Sequence, residues 1–273
     1  MREQLSFDDE ETAMIKDYYY NQGKTLSNIA SIFGCSYTGM LNFFIRNNWE
    51  RFQDRSNRKY YFNEHVFDDI DTPDKAFCLG LLLADGCNHS NNNAVSIELQ
   101  KRDIEVLQMM NDVFESTYPI HEHKASGSRV QDTCDLRFNS KHFSERCSEI
   151  GFVPRKSLIL DFPIIKEEFI MNMLNGYIAG DGWVNKYCIG FMSTDKFCYK
   201  AQEYLETIGI KMSVYDLKKE RYNEHTKMTQ ISGKKNIIPF VEKMLDGCNI
   251  FLRRKYDKLV EYGHYDLNKA IVA

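Results

Sequence analysis

Several features that settle a protein's class are missing from this 273-residue sequence. No apolar run approaches the roughly 20 residues needed to cross a bilayer. Runs such as Phe77–Ala84 fall far short, and the N-terminal MREQLSFDDEE has no apolar signal core. A cytoplasmic protein without a membrane partner is expected. Paired cysteines are also missing. Cys35, Cys78, Cys87, Cys134, Cys147, Cys188, Cys198 and Cys248 stand singly, with no Cys-x-x-Cys pair and no histidine at metal spacing. That argues against a zinc ribbon and a disulfide framework and predicts small buried apolar residues. Positive charge is scarce as well. A formal net charge of −4 does not favour a phosphate partner, so any nucleic-acid binding must rest on local clusters.

What is present is apolar substance: 43% hydrophobic and 13% aromatic residues, enough for one large core or two moderate ones. Basic residues gather locally. Arg46, Arg51, Arg55, Arg58 and Lys59 face only Glu50 and Asp54, and a second run holds Lys211, Lys218, Lys219, Arg221, Lys227, Lys234 and Lys235. Acidic residues crowd the N-terminus instead.

Three helical patterns fill the first fifty residues, Glu10–Asn21, Leu26–Phe33 and Tyr37–Asn47, broken at Gly23 and at Gly34-Cys35-Ser36. Leu26, Ile29, Ala30 and Phe33 share one face, against which Met40, Leu41, Phe44 and Ile45 can pack. Small Ala30, Gly34 in the turn, and apolar Met40 and Phe43 resemble a helix-turn-helix DNA reader. The resemblance implies a helix in the major groove, with Ser36, Tyr37, Thr38, Asn42 and Arg46 reaching bases or phosphates. A DNA-binding domain is thus expected over residues 1–54, joined by Arg51, Arg55, Arg58 and Lys59 in DNA contact. A basic linker is expected over 55–72. Thr72-Pro73 starts a new unit.

The remainder repeats itself. Asp85 and Asp181, 96 positions apart, each follow an apolar helical run, precede a glycine and lead into a hairpin, a helix, another hairpin and a further helix. Residues 94–100 and 187–193 alternate as strands. Asp103 and Asp195 are expected to cap the helices that follow. Strand pairs come next, around 118–124 with 135–139 and around 212–217 with 227–232, then helices 141–150 and 235–245. Each copy closes alike, on Phe152-Val-Pro-Arg-Lys156 and Phe251-Leu-Arg-Arg-Lys255. The fold class expected is α+β: two tandem αββαββα repeats, 73–164 and 165–273, in pseudo-twofold arrangement after a small all-α domain.

Before each acid, small residues lie four apart, Gly80 with Ala84 and Gly176 with Gly180, so each helix offers a stripe where another backbone can press close. Parallel packing there brings Asp85 and Asp181 together at the helix ends, among exposed carbonyls. Gly86 and Gly182 suit a left-handed exit from each helix. Such an oxygen-rich site suits hard cations that activate water and stabilise a phosphodiester's leaving oxygen.

Leu79–Gly86 (LGLLLADG) and Leu174–Gly182 (LNGYIAGDG) resemble the LAGLIDADG motif, and the chain from about Pro73 to Tyr262 resembles a single-chain, two-repeat LAGLIDADG homing endonuclease. Leu83 and Ala179 replace the motif's earlier acid. The resemblance implies an enzyme that cuts both strands of a long asymmetric DNA site, its sheets lying along the major groove and its motif helices forming the central interface. Mg²⁺ or Mn²⁺ held by Asp85 and Asp181 is implied, on a monomer that is internally a pseudo-dimer. Lys156 and Lys255 match the family's basic active-site residues, and Gln100 matches a residue that orders water. Met192 or Ser193 stands at the corresponding place in the second copy.

Two relatives of that fold remain alternatives: a transcription regulator that binds DNA without cutting, and an intron RNA maturase. An intein would need a nucleophile at its upstream junction and a His-Asn ending, whereas this sequence starts Met1-Arg2 and ends in Ile-Val-Ala273; a free-standing protein is expected. His121 and His123 alternate on one strand without partners, which argues against a histidine-rich metalloenzyme.

Overall fold

The structure, a computed structural model, describes residues 5–22, 24–49, 60–89, 91–127, 130–217 and 224–266, in two units that meet in sequence at Tyr60–Tyr61. Arg51, Arg55, Arg58 and Lys59, and with them Lys218, Lys219 and Arg221, lie outside the described residues.

In the first unit, helix α1 (Asp9–Lys16) runs on through a π-helical turn (Asp17–Asn21), followed by α2 (Leu26–Ile32) and α3 (Tyr37–Arg46). Side chains satisfy the free N–H groups at each helix start: Asp8 with Glu11 as a capping box, Thr25 to Asn28 and Ser36 to Gly39. Gly34 turns the chain between α2 and α3 at φ +65°. Ile15, Tyr19, Leu26, Ile29, Ala30, Met40, Phe43 and Phe44 form the core. Ile45, expected in that core, is 53% exposed, because Phe43 and Phe44 take the inward positions.

The second unit starts earlier than the sequence reading placed it. Residues 61–72 do not serve as a linker: Phe62, Val66, Phe67 and Ile70 are buried in the main core, and Asn63 N–H bonds to Phe114. Charge at 51–59 hid this apolar i, i+4, i+5, i+8 spacing. Thr72 then caps α4 (Pro73–Asp85), its hydroxyl accepting from Lys75 N, with Pro73 where no N–H is needed.

From α4 the order is β1 (Gly86–His89), β2 (Ala94–Gln100), α5 (Ile104–Val113), β3 (His121–His123), β4 (Thr133–Asn139) and α6 (Lys141–Glu149). It recurs as α7 (Ile170–Asp181), β5 (Gly182–Val184), β6 (Cys188–Thr194), α8 (Asp195–Thr207), β7 (Ser213–Asp216), β8 (Thr226–Ser232) and α9 (Lys234–Leu245). Each repeat makes an antiparallel four-stranded sheet, β1-β2-β4-β3 and β5-β6-β8-β7. Alternation explains which face each strand buries: Cys134, Leu136 and Phe138 point inward and Thr133, Asp135 and Arg137 outward. One continuous core joins both repeats. No described helix is long and apolar enough to cross a membrane.

Neither expected aspartate cap forms. Asp103 is the last residue of a 3₁₀ turn and pairs with Arg254, and Thr194 rather than Asp195 caps α8 through its hydroxyl. Five cysteines are buried, but Cys87 is exposed on the open face of β1, contrary to expectation, and all eight thiols are free.

Helices α4 and α7 run parallel and touch through the glycines that the small-residue stripes single out. A Cβ on Gly80 would fall 1.9 Å from the Met173 carbonyl oxygen, and one on Gly176 would fall 1.9 Å from that of Phe77. The same hypothetical atoms would meet Tyr177 N and Leu81 N at 2.8 Å, so each glycine faces equivalent positions of its partner and a twofold relation follows. Side chains cannot yield here, because the obstruction is backbone. Gly176→Ala is therefore expected to cost about 3 kcal/mol or more of stability, at or beyond the top of the overpacking range. Urea unfolding measures it; a loss within about 0.5 kcal/mol would show that the helices do not touch.

Candidate active site

Parallel packing of α4 and α7 carries their last residues, Asp85 and Asp181, to the same end of the helix pair. Further along the helices the approach continues: a Cβ on Gly180 would lie 2.4 Å from Ala84 Cβ and 2.8 Å from Asp85 Oδ2. The glycines that follow the acids do not exit in the left-handed region as expected. Gly86 (φ −77°, ψ 161°) and Gly182 (φ −96°, ψ 173°) are extended. Each must be glycine because the chain folds straight back from helix to strand, where a Cβ would meet Leu82 O at 2.6 Å or Ile178 Cα at 2.6 Å.

Lys156 and Lys255 are both 9% exposed and reach the ends of these helices. Lys156, in the 3₁₀ turn Lys156–Leu158, donates to the Ala84 carbonyl at 2.8 Å. Lys255, in α10 (Arg253–Glu261), reaches the carbonyls of Ile178, Ala179, Gly180 and Gly182 at 2.6, 2.7, 3.1 and 2.6 Å. Cations there answer the negative end of the helix dipole. The carbonyl oxygens expected to face a bound cation thus already serve ammonium groups, although each oxygen keeps a second lone pair. Asn88 secures the Lys156 segment, donating to the carbonyls of Ser144 and Phe152 at 3.0 Å each. Arg254 secures Lys255: its Nε lies 3.1 Å from both oxygens of Asp103, whose side chain is only 6% exposed, and so ties α10 of the second repeat to the first.

Both carboxylates reach solvent, yet protein displaces enough water around them to oppose their charge. Burial and the neighbouring Asp181 push Asp85 up to about 6, against the pull of Lys255, Lys156 and Arg254. Asp181 is also raised by burial, with Lys156, Lys255 and the Tyr177 hydroxyl pulling it down. The negative charge of Asp181 helps hold the proton on Asp85. The position equivalent to Tyr177 in the first repeat is Leu81, which offers no such hydroxyl. Burial and Arg254 lower Lys255 to about 8, and burial lowers Lys156, although both acids favour the ammonium forms.

Gln100 lies at the end of β2, its Oε1 buried without a protein partner among the described residues. Register identifies its counterpart. Gly86 pairs with Ile97 and Gly182 with Phe191, so three residues further the equivalent of Gln100 is Thr194, not Met192 or Ser193. Thr194 is already engaged: its hydroxyl caps α8 and donates to the Leu160 carbonyl. The hairpin of the second repeat is two residues shorter, which an alignment by eye does not reveal.

The open faces of the two sheets differ in chemistry. The first presents Ser96, Glu98, Gln100, Thr133, Asp135 and Arg137, with His123 bonded to Asp135. The second presents Trp183, Met192, Met228, Gln230 and Tyr215. Gly190 leaves room for the indole, since a Cβ there would lie 2.5 Å from Trp183 Cζ2. Of these the sequence reading named Gln100, Met192 and His123, none of them as part of an open sheet face, although strand alternation was the signal that finds the rest. In the first unit Tyr37, Thr38 and Asn42 are exposed on α3, while the Ser36 hydroxyl is spent on the cap and Arg46 is held by the Leu5 and Asn42 carbonyls.

The stretch holding the second acid, residues 168–244, matches the family model described as LAGLIDADG-like domain. Residues 73–149 repeat its element order, so the chain carries two tandem copies of this fold. Lys255 lies beyond the matched LAGLIDADG-like range. No curated protein matches the sequence. Among solved structures, the chain is similar to I-DmoI in complex with DNA and Ca, with 15% identity, 67% of this chain and 91% of that one covered, and a TM-score of 0.45. It is also similar to the I-LtrWI LAGLIDADG homing endonuclease bound to target DNA (10%; 74% and 91%; 0.45) and to I-SmaMI bound to cleaved DNA (13%; 71% and 88%; 0.44).

The raised Asp85 carries a cost in stability. Its unfolded form loses its proton near 3.9, before the folded form does, so stability falls as pH rises from about 4 to 6 and the penalty is complete above that. Without divalent cations, Asp85→Asn is expected to raise the unfolding midpoint at pH 8 by about 2–4 °C. That is the shift of a ~1 kcal/mol gain in a unit of this size, discounted because the carboxylate reaches solvent. The gain vanishes below about pH 4. An unchanged or lowered midpoint at pH 8 contradicts the assignment.

Proposed function

We propose that this chain is a site-specific DNA endonuclease that hydrolyses phosphodiester bonds with divalent metal. The observation that carries the reading is the meeting of Asp85 and Asp181 at the ends of two touching helices, each within the field of two buried lysines. These residues fit a hard cation. Two carboxylates in one recess raise each other's cost of ionisation, and the burden on Asp85 is one that a bound cation relieves. Asp85 and Asp181 would hold Mg²⁺ or Mn²⁺, which when bound supplies polarisation of the phosphate and a more acidic water.

The rest of the chemistry falls to the chain. Lys156 and Lys255, fixed on the helix carbonyls, place positive charge beside the acids and stabilise the negative charge that grows on the phosphate during attack. Gln100 has a buried, unpartnered acceptor available to orient water, whereas the Thr194 hydroxyl is held between the α8 cap and the Leu160 carbonyl. The two strands are therefore cut at unequal rates. An antiparallel ribbon fits the major groove, where the polar first sheet reads donors and acceptors and Trp183, Met192 and Met228 favour thymine methyl groups. A target with chemically unlike halves follows. In the first unit, Tyr37, Thr38 and Asn42 on α3 form the exposed face of a helix-turn-helix DNA reader.

The test is cleavage of DNA carrying the uninterrupted sequence of the chain's own insertion locus, with Mg²⁺ and the ends mapped. Asp85→Asn and Asp181→Asn are each expected to slow double-strand cleavage at least about 100-fold, the scale on which removing one electrostatic group is felt, while DNA binding persists. In the same assay, a chain lacking residues 1–54 keeps its chemistry but loses affinity or site choice. Undiminished cleavage by the double variant rules out the mechanism, and unchanged affinity and specificity after the deletion rule out the reader.

A further inference from the structure

Away from the acid pair, the described residues bring together two histidines and an aspartate that no sequence spacing joins: His65, Asp68 and His142, whose ligand atoms all lie within 4.8 Å of one another. His65 and Asp68 belong to the turn at 64–68, and His142 to the first turn of α6. His65 Nδ1 lies 2.7 Å from one Asp68 oxygen and His142 Nε2 lies 2.6 Å from the other. The two rings are 4.4 Å apart at 45°, so both imidazoles converge on one carboxylate.

Their positions are set by the fold rather than by the cluster. Val66 and Phe67, between the two ligands of the turn, are buried in the main core. Arg146 of α6 donates to the carbonyls of Phe67 and Asp68 at 2.9 and 3.3 Å, pinning the turn to the helix that supplies the third ligand. Burial pushes the Asp68 carboxyl up, but the bonds to His65 and His142 more than offset this and hold it below the ordinary carboxylate value. A carboxylate and two imidazoles are thus presented on a rigid base.

We propose that His65, Asp68 and His142 bind Zn²⁺ and that the ion staples the 64–68 turn to α6. Two nitrogens and one carboxylate oxygen are the donor set of zinc, whereas Mg²⁺ and Ca²⁺ take oxygen alone. With side chains 58%, 43% and 44% exposed, the site is open to solvent, and water completes a tetrahedron. The nitrogens facing Asp68 must offer lone pairs, which the neutral rings do by carrying their protons on His65 Nε2 and His142 Nδ1. None of the three residues belongs to the acid–lysine site, so the proposal stands or falls apart from the nuclease reading.

Titration calorimetry of ZnCl₂ into the metal-stripped full chain tests it, in a background of Asp85→Asn and Asp181→Asn that silences the acid pair. One Zn²⁺ per chain and a raised unfolding midpoint are expected. Adding His65→Ala or His142→Ala lowers the affinity more than about tenfold, at least the loss seen when even outer partners of a metal site are removed, and abolishes the rise in midpoint. Because these side chains are exposed, circular dichroism is expected to show both variants folded. Co²⁺ in place of Zn²⁺ gives a tetrahedral visible spectrum that the same substitutions erase. No binding, or binding and spectra that persist in both histidine variants through a thiol such as Cys87, overturns the proposal.

Discussion

At Gly80 and Gly176 two helix backbones occupy space that side chains fill at ordinary contacts, and every group at the acid site takes its place from that approach. With Cβ atoms excluded at both crossings, α4 and α7 lie close and parallel, and their ends coincide. The chain must then turn at once into β1 and β5, which is why Gly86 and Gly182 are glycines for reasons of space rather than handedness. The sheets follow outward from those strands, and one core spans both halves.

Bringing two acids together in a recess opposes folding, and the lysines limit that cost without removing it. Their arrangement is unequal. Lys255 is gripped by four carbonyls, grows from a helix and is tied across the repeats by Arg254 and Asp103, whereas Lys156 holds one carbonyl from a 3₁₀ turn that follows Arg155 at φ 58°. Tyr177 lowers Asp181 and has no counterpart beside Asp85, and Gln100 is replaced by an engaged Thr194. A duplicated fold has thus kept its backbone symmetry while its side chains have diverged.

Features set by short-range pattern were legible in the sequence. Strand 94–100 was recognisable by alternation, the paired helices by small residues four apart, and the lysines by matched endings of the two copies. Features set by the third dimension were hidden. Asp103 has the look of a helix cap, but its partner Arg254 is 151 positions away, so local chemistry pointed to the wrong bond. Thr194 was missed because a two-residue hairpin difference shifts the register, and residues 61–72 read as linker because charge next to them masked four buried apolar side chains. His65 and His142 are separated by most of the first repeat. The carbonyls at the helix ends were rightly located, but that lysines would occupy them depended on how the later segments fold back.

The central claim, that two touching helices make Asp85 and Asp181 one electrostatic unit, is tested most directly by NMR titration of the Asp85 carboxyl carbon without metal. A midpoint of about 6, falling when Asp181 is replaced by asparagine, is the outcome this geometry requires. An ordinary midpoint near ~4, unmoved by that replacement, would mean that the two acids do not share a site.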